Sequence, residues 1–220
     1  MRPDPSGHAH PNFQPKMDHR IVVIGASTGG VEALYMLLSA VPPDCPPIYV
    51  VQHMRPSFIE SFVAGLNRVC AAEVVQAQDR QLARPGQICI APTGELHLVL
   101  TAHPDPMSRL VEGPPVQGHR PAVDRLFLSA AQLRTPPVAA LLTGMGRDGA
   151  EGLLRIRQAG GHTIAQDEAS SVVYGMPKAA RDLDAADQIL PIQSIAAALL
   201  RAVGQTQTQN SDRRSVDARK

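Results

Sequence analysis

The sequence predicts a doubly wound α/β fold, mostly parallel, with an antiparallel hairpin insertion at one edge. Three observations carry this. Unbroken apolar runs such as Ile21-Val22-Val23-Ile24 and Ile48-Tyr49-Val50-Val51 fit strands buried on both faces. Stretches with apolar residues at helical spacing alternate with those runs, which is the pattern of right-handed βαβ crossovers. Aromatic residues make up only 3% of the chain, so the core must be mostly Val, Leu, Ile and Ala, as in a parallel sheet. At 220 residues the chain suits one domain that buries roughly 70% of its unfolded surface without disulfide or metal staples.

Residues 1–19 are polar and rich in Pro and His without periodicity, and are expected to be a disordered leader on which His8 and His10 are incidental. The folded domain is expected over 20–203. Its first strand, about 20–25, runs into Gly25-Ala26-Ser27-Thr28-Gly29-Gly30, a glycine-rich turn, and then a helix to about Ser39 carrying Ala33, Leu34, Leu37 and Leu38 on one stripe. Pro47 to Met54 forms a second strand with His53 at its carboxyl end. A helix with Phe58, Phe62 and Leu66 follows, then a strand over Glu73–Ala77. From Gly86 to Val111 the texture changes to short extended pieces, Gln87–Ala91, Leu96–Leu100 and Arg109–Val111, the expected hairpin insertion. His97 alternates with leucines there, which predicts a solvent-facing or edge position.

A helix is expected from about Val123 to Gln132, with Asp124 in its first turn suiting the helix dipole. Pro137–Thr143 is a buried strand ending in Gly144-Met145-Gly146-Arg147-Asp148-Gly149, ahead of a helix to about Gln158. His162–Gln166 is a strand, Met176 opens a helix, Asp187–Pro191 is a short strand, and a closing helix covers Ile195 to Val203. The tail, 204–220, is expected to be disordered from its Gln, Thr, Ser, Asp and Arg content.

Composition also limits function. A formal charge of +1 gives no broad basic field for nucleic acid or anionic lipid. No signal peptide or membrane-length apolar run is seen, and Cys45, Cys70 and Cys89 fit neither a disulfide framework nor a zinc site. A cytoplasmic protein with reduced thiols and no direct membrane insertion is the expectation.

The chemistry converges on three strand ends. Ser27, His53 and Asp148 each follow a buried strand at its carboxyl end, and in an open parallel sheet those ends line one rim. A serine, a histidine and an aspartate can supply nucleophile, base and orienting carboxylate for acyl transfer. The turn carrying Met145 offers backbone amides for an oxyanion, and Thr28 and Met145 are the oxyanion or substrate-contacting candidates. Blander readings stand beside this one: Ser27 or Asp148 as helix N-caps, His53 as a packed strand-end residue. Nucleotide binding fits less well, because Ser27 replaces the second glycine of a dinucleotide fingerprint and no lysine follows Gly30.

The segments Ile24-Gly25-Ala26-Ser27-Thr28-Gly29-Gly30, Gln52-His53-Met54, Ile90-Ala91-Pro92, Gly113-Pro114-Pro115, His119-Arg120-Pro121 with Val123-Asp124, Leu142-Thr143-Gly144-Met145-Gly146 with Asp148-Gly149, and Ile164-Ala165-Gln166 through Gly175-Met176-Pro177 resemble, in this order, the catalytic domain of the chemotaxis protein-glutamate methylesterase (CheB) family. The resemblance spans about residues 20–195. It implies hydrolysis of glutamyl methyl esters on the cytoplasmic helices of chemoreceptors, often with deamidation of receptor glutamines, and no metal or organic cofactor. By position it makes Ser27 the nucleophile, His53 the base, Asp148 its partner, and the Met145 amide an oxyanion donor. Members commonly carry an N-terminal phosphoacceptor receiver domain, for which the twenty residues ahead of the first strand leave no space. A stand-alone enzyme, a shortened chain and control by a separate regulatory protein are the readings this leaves. A non-catalytic receptor-binding adaptor of the same fold is the alternative from a different class.

Overall fold

The computed structural model describes residues 20–101 and 105–217, with side chains described as far as residue 204. The expected leader, 1–19, lies outside the described residues. Seven strands form one parallel sheet: β1 (Val22–Ala26), β2 (Ile48–Gln52), β3 (Glu73–Gln76), β5 (Gln87–Ile90), β8 (Val138–Leu141), β9 (His162–Gln166) and β10 (Gln188–Leu190). Their spatial order is β10-β9-β8-β1-β2-β5-β3. The chain builds outward from β1 through β2 on one side, then returns to lay β8 on the other. The order of strands therefore reverses at β1, where the carboxyl ends of β1, β2 and β8 meet, the place at which open parallel sheets bind ligands.

Alternation along the strands divides the core into two layers. Val22, Ile24 and Ala26 join the cluster under α1 (Gly30–Leu38), α2 (Ile59–Val69) and α6 (Ile192–Asp217). Ile21, Val23, Tyr49 and Val51 join the opposite cluster, under α3 (Val123–Ala130), α4 (Ala150–Gln158) and α5 (Met176–Asp182). Both faces of the central strands are buried, which explains their unbroken aliphatic sequence. Gly25 is where the second layer comes closest: a β-carbon there would run into the Val123 side chain at the start of α3. Among the described residues no helix is long and apolar enough to cross a membrane.

Three expectations need correction. Gln87–Ile90 is not part of the hairpin; it is β5, paired in parallel between β2 and β3. The antiparallel insertion is a separate small sheet of β4 (Gln81–Leu82), β6 (His97–Thr101) and β7 (Met107–Val111), in the order β4-β7-β6. The last helix does not stop at Val203 but runs on to Asp217, through most of the segment expected to lack structure. No Pro or Gly follows Gly204, and extending a formed helix needs only one further hydrogen bond per residue fixed.

His97 is the third. It does lie on an edge strand of the small sheet, but it is fully buried rather than solvent-facing: the face it shares with half-buried Val99 and exposed Thr101 is closed at His97 by the loop through Gly113, Pro114 and Ala122. Its Nδ1 accepts the Ala122 amide at 3.2 Å and its Nε2 donates to the Pro114 carbonyl at 3.0 Å, so the ring is neutral and ties the loop ahead of α3 to the small sheet. Burial holds its pKa below the usual histidine value. His97→Leu leaves both backbone groups without a partner and is expected to cost about 3 kcal/mol. Because the folded pKa is lowered, the wild type keeps this contribution above about pH 6.5 and loses it as protonation of the unfolded chain takes over below. Urea midpoints at pH 7 and pH 5 check both points: the gap between wild type and variant should narrow in acid.

Candidate active site

β1 ends at Ala26, and the next residue is pinned rather than loose. The Ser27 amide donates to the Thr143 carbonyl at 3.0 Å, and the Ser27 carbonyl accepts the Gly30 amide at 2.8 Å. Ser27 does not cap α1; that position is Gly29, at φ 79°, with no side-chain cap. The capping explanation for a serine in this turn is therefore removed. The turn after β8 closes over Ser27: a β-carbon on Gly144 would lie 2.7 Å from Ser27 Cβ, so only glycine lets the Met145 turn come this close. Thr143 secures the rim, its hydroxyl donating to the Thr28 carbonyl at 2.9 Å and accepting the Val173 amide at 2.9 Å.

His53 follows β2 in the register that pairs Ala26 with Gln52, and its amide donates to the Ala26 carbonyl at 3.0 Å. Strand parity continues Tyr49 and Val51 to position 53, and so aims His53 at the α3 layer. There its Nε2 lies 2.9 Å from Asp148 Oδ2, with both side chains almost fully buried. Asp148 Oδ2 also accepts the Val123 amide at 2.7 Å, and Oδ1 accepts the Asp124 amide at 2.9 Å. Burial alone would raise this carboxyl, but the hydrogen bonds from His53 and from the first amides of α3 win and hold it below the usual carboxylate range. An ionised Asp148 accepts, so Nε2 carries the imidazole proton. Nδ1 is then the unprotonated nitrogen; it is buried and has no hydrogen-bond partner among the described residues.

The structure thus joins His53 to Asp148 directly and sets Ser27 beside His53 through the β1–β2 ladder. Among the described residues it forms no hydrogen bond from the Ser27 hydroxyl to His53. Of the oxyanion candidates, Thr28 and Met145 both flank Ser27, and Met145 is 71% exposed. Val172, the residue a β-carbon at Gly29 would strike, is 69% exposed on the same rim.

Asp148 sits just ahead of α4 but does not cap it; the N-cap is Gly149, without a side-chain bond. It caps α3 instead. Asp124, in the first turn of α3, returns the arrangement by accepting the Gly152 amide of α4 at 2.8 Å, with Gln117 Nε2 on its other oxygen at 2.9 Å. Two aspartates exchange helix ends, which sequence spacing alone does not reveal. Burial, and then the neighbouring Asp148 charge, push the Asp124 carboxyl up to about 6. A raised carboxyl disfavours the folded state once ionised, so this group subtracts stability as pH rises from about 4 to about 6. In Asp124→Asn that slope should vanish, and denaturation midpoints taken from pH 4 to 7 should differ in pH dependence by roughly 2–3 kcal/mol over the range.

Two residues that sequence reasoning did not single out shape the site. Gln52, buried at the end of β2, donates through Nε2 to the carbonyls of both Ser27, at 2.8 Å, and His53, at 2.9 Å, tying the two turns together. A buried glutamine interrupting an aliphatic strand was the available signal. The ring of His119, in the loop before α3, stacks on His53 with centroids 3.7 Å apart and planes 9° from parallel; no sequence pattern predicts that contact.

The family model for the CheB methylesterase matches residues 22–199. The chain belongs to the CheB methylesterase family. It is 46% identical over 202 residues to the protein-glutamate methylesterase/protein-glutamine glutaminase of Agrobacterium fabrum, covering 90% of this chain and 58% of that protein. It is 51% identical over 184 residues to protein-glutamate methylesterase/protein-glutamine glutaminase 2 of Cereibacter sphaeroides, covering 83% of this chain and 50% of that one. The crystal structure of the Thermotoga maritima CheB methylesterase catalytic domain superposes with a TM-score of 0.81 at 38% identity, covering 84% of this chain and 99% of that domain. This CheB-family chain spans about half the length of the curated relatives it matches.

Proposed function

We propose that this chain is a serine hydrolase that removes methyl esters from glutamate side chains of chemoreceptors and deamidates selected receptor glutamines. The observation that carries the reading is the His53–Asp148 pair at 2.9 Å, held at the strand-order reversal beside Ser27. The naming of its relatives as protein-glutamate methylesterase/protein-glutamine glutaminase supports the substrate. In this reading Ser27 Oγ attacks the carbonyl carbon of the ester while His53 Nδ1 takes its proton. Asp148 keeps the opposite proton on Nε2 and balances the imidazolium. Backbone amides of the Met145 turn stabilise the oxyanion.

The imidazolium then gives its proton to departing methanol, or to ammonia from a glutamine, leaving an acyl-serine. Water adds to that ester with His53 again as base, and a free glutamate carboxylate and Ser27 are regenerated. The base is Nδ1 here, the reverse of the more familiar use of Nε2, because Nε2 faces the carboxylate. The partner is the cytoplasmic helical region of a methyl-accepting receptor, which places the reaction in the cytoplasm; control by a separate regulatory protein belongs to the same reading. Incubating the purified chain with a methylated receptor fragment and measuring methanol, with ammonia measured on the amidated fragment, tests it. Release of neither product would leave the adaptor role as the better account.

A further inference from the structure

We propose that His119 is a positioning residue for the reaction: its ring, stacked flat on His53, holds the base imidazole in its working orientation. The proposal rests on the esterase reading for its kinetic part and on geometry for the rest. A single hydrogen bond to Asp148 fixes one edge of the His53 ring but lets the plane rock about that contact. A parallel ring at 3.7 Å, tilted by 9°, blocks the rocking and shields that face from water. Rocking matters because Nδ1 must meet the serine hydroxyl within hydrogen-bond reach, and misplacement by about 1 Å can cost on the order of 100-fold in rate.

His119 is itself held independently of Ser27, His53 and Asp148. Its backbone pairs with Val116 in both directions, at 2.9 and 3.0 Å. The next residue, Arg120, donates to the carbonyls of Gly94 at 3.1 Å and Gly113 at 3.0 Å, and its loop is tied to buried His97 through Ala122. A platform anchored this way can constrain a neighbour rather than follow it. Burial, and then proximity to His53, hold the His119 pKa below the usual value, so it lies on the base as a neutral ring and does not compete with it for the Asp148 carboxylate.

The test compares His119→Ala with His119→Phe in the full chain. Loss of the ring is expected to lower kcat for methanol release about 10- to 100-fold with KM within about threefold, whereas Phe, which keeps a flat ring but no nitrogen, retains kcat within about threefold of wild type. An Ala variant within twofold of wild type overturns the proposal, as does a Phe variant as slow as Ala, since the ring's protons would then be what matters. Imidazole NMR gives a readout independent of turnover: ring protons of His53 should carry an upfield ring-current shift in wild type and the Phe variant and lose it in Ala. Absence of that shift in wild type refutes the stack even if Ala fails to fold. A wild type that shows the shift but releases no methanol or ammonia would sink the esterase reading and leave the stacking intact.

Discussion

Ser27→Ala is expected to abolish ester hydrolysis, lowering kcat by about 10⁴-fold or more, while the protein stays folded. The substitution deletes one hydroxyl that has no structural task. The contacts that set the turn are made by the Ser27 backbone, to Thr143, Gly30 and Gln52, and by Cβ against Gly144, and an alanine keeps all of them. Methanol release and a thermal melt on the same preparation decide the matter. Undiminished turnover in the variant would remove Ser27 as nucleophile and return the chemistry to some other group.

Asp148→Asn should lose about 10⁴-fold in kcat as well, but with a stability cost that the serine variant lacks. Oδ2 receives His53 and the Val123 amide while Oδ1 receives the Asp124 amide, so either orientation of an asparagine turns its NH₂ toward a donor. Facing His53, it forces the imidazole proton onto Nδ1 and blocks the base; facing Asp124, it leaves an α3 amide unpaired. A loss of about 1–3 kcal/mol is expected. The folded carboxyl is lowered, so the wild type holds this contribution above the unfolded value of about 3.9 and loses it as pH falls through the folded one. Urea denaturation at neutral and acid pH should therefore show the gap closing in acid. Full turnover by the asparagine variant would exclude an orienting role for the carboxylate.

The strand ends were legible because parallel strands buried on both faces announce themselves as unbroken aliphatic runs, and polar residues directly after them have one rim to occupy. That logic finds Ser27, His53 and Asp148. It does not give the partner of each side chain. Asp148 looks like a cap for the helix it precedes, and only the approach of α3 over Gly25 makes it a cap for α3. His97 misled because leucine alternation says that one face is buried and the other is free to be either; the loop through Pro114 and Ala122 covers that second face at His97 while Thr101 on it stays exposed. Likewise β5 resembles a hairpin strand in isolation, and its parallel pairing depends on the distant β2 and β3. The Gln52 bridge and the His119 stack are contacts between residues remote in sequence or between side chain and backbone, and neither has a periodic signature.

The ladder bond from His53 to Ala26, with the Gln52 amide spanning the two turns, makes the distance between hydroxyl-bearing and imidazole-bearing backbones a property of sheet pitch. Those two cannot separate without unzipping the centre of the domain. In the proposed reading, any give needed to admit and release a receptor segment falls to the other wall, the exposed lip of Met145 and Val172, held by the Thr143 hydroxyl and by the backbone pairing of Gly144 with Val173.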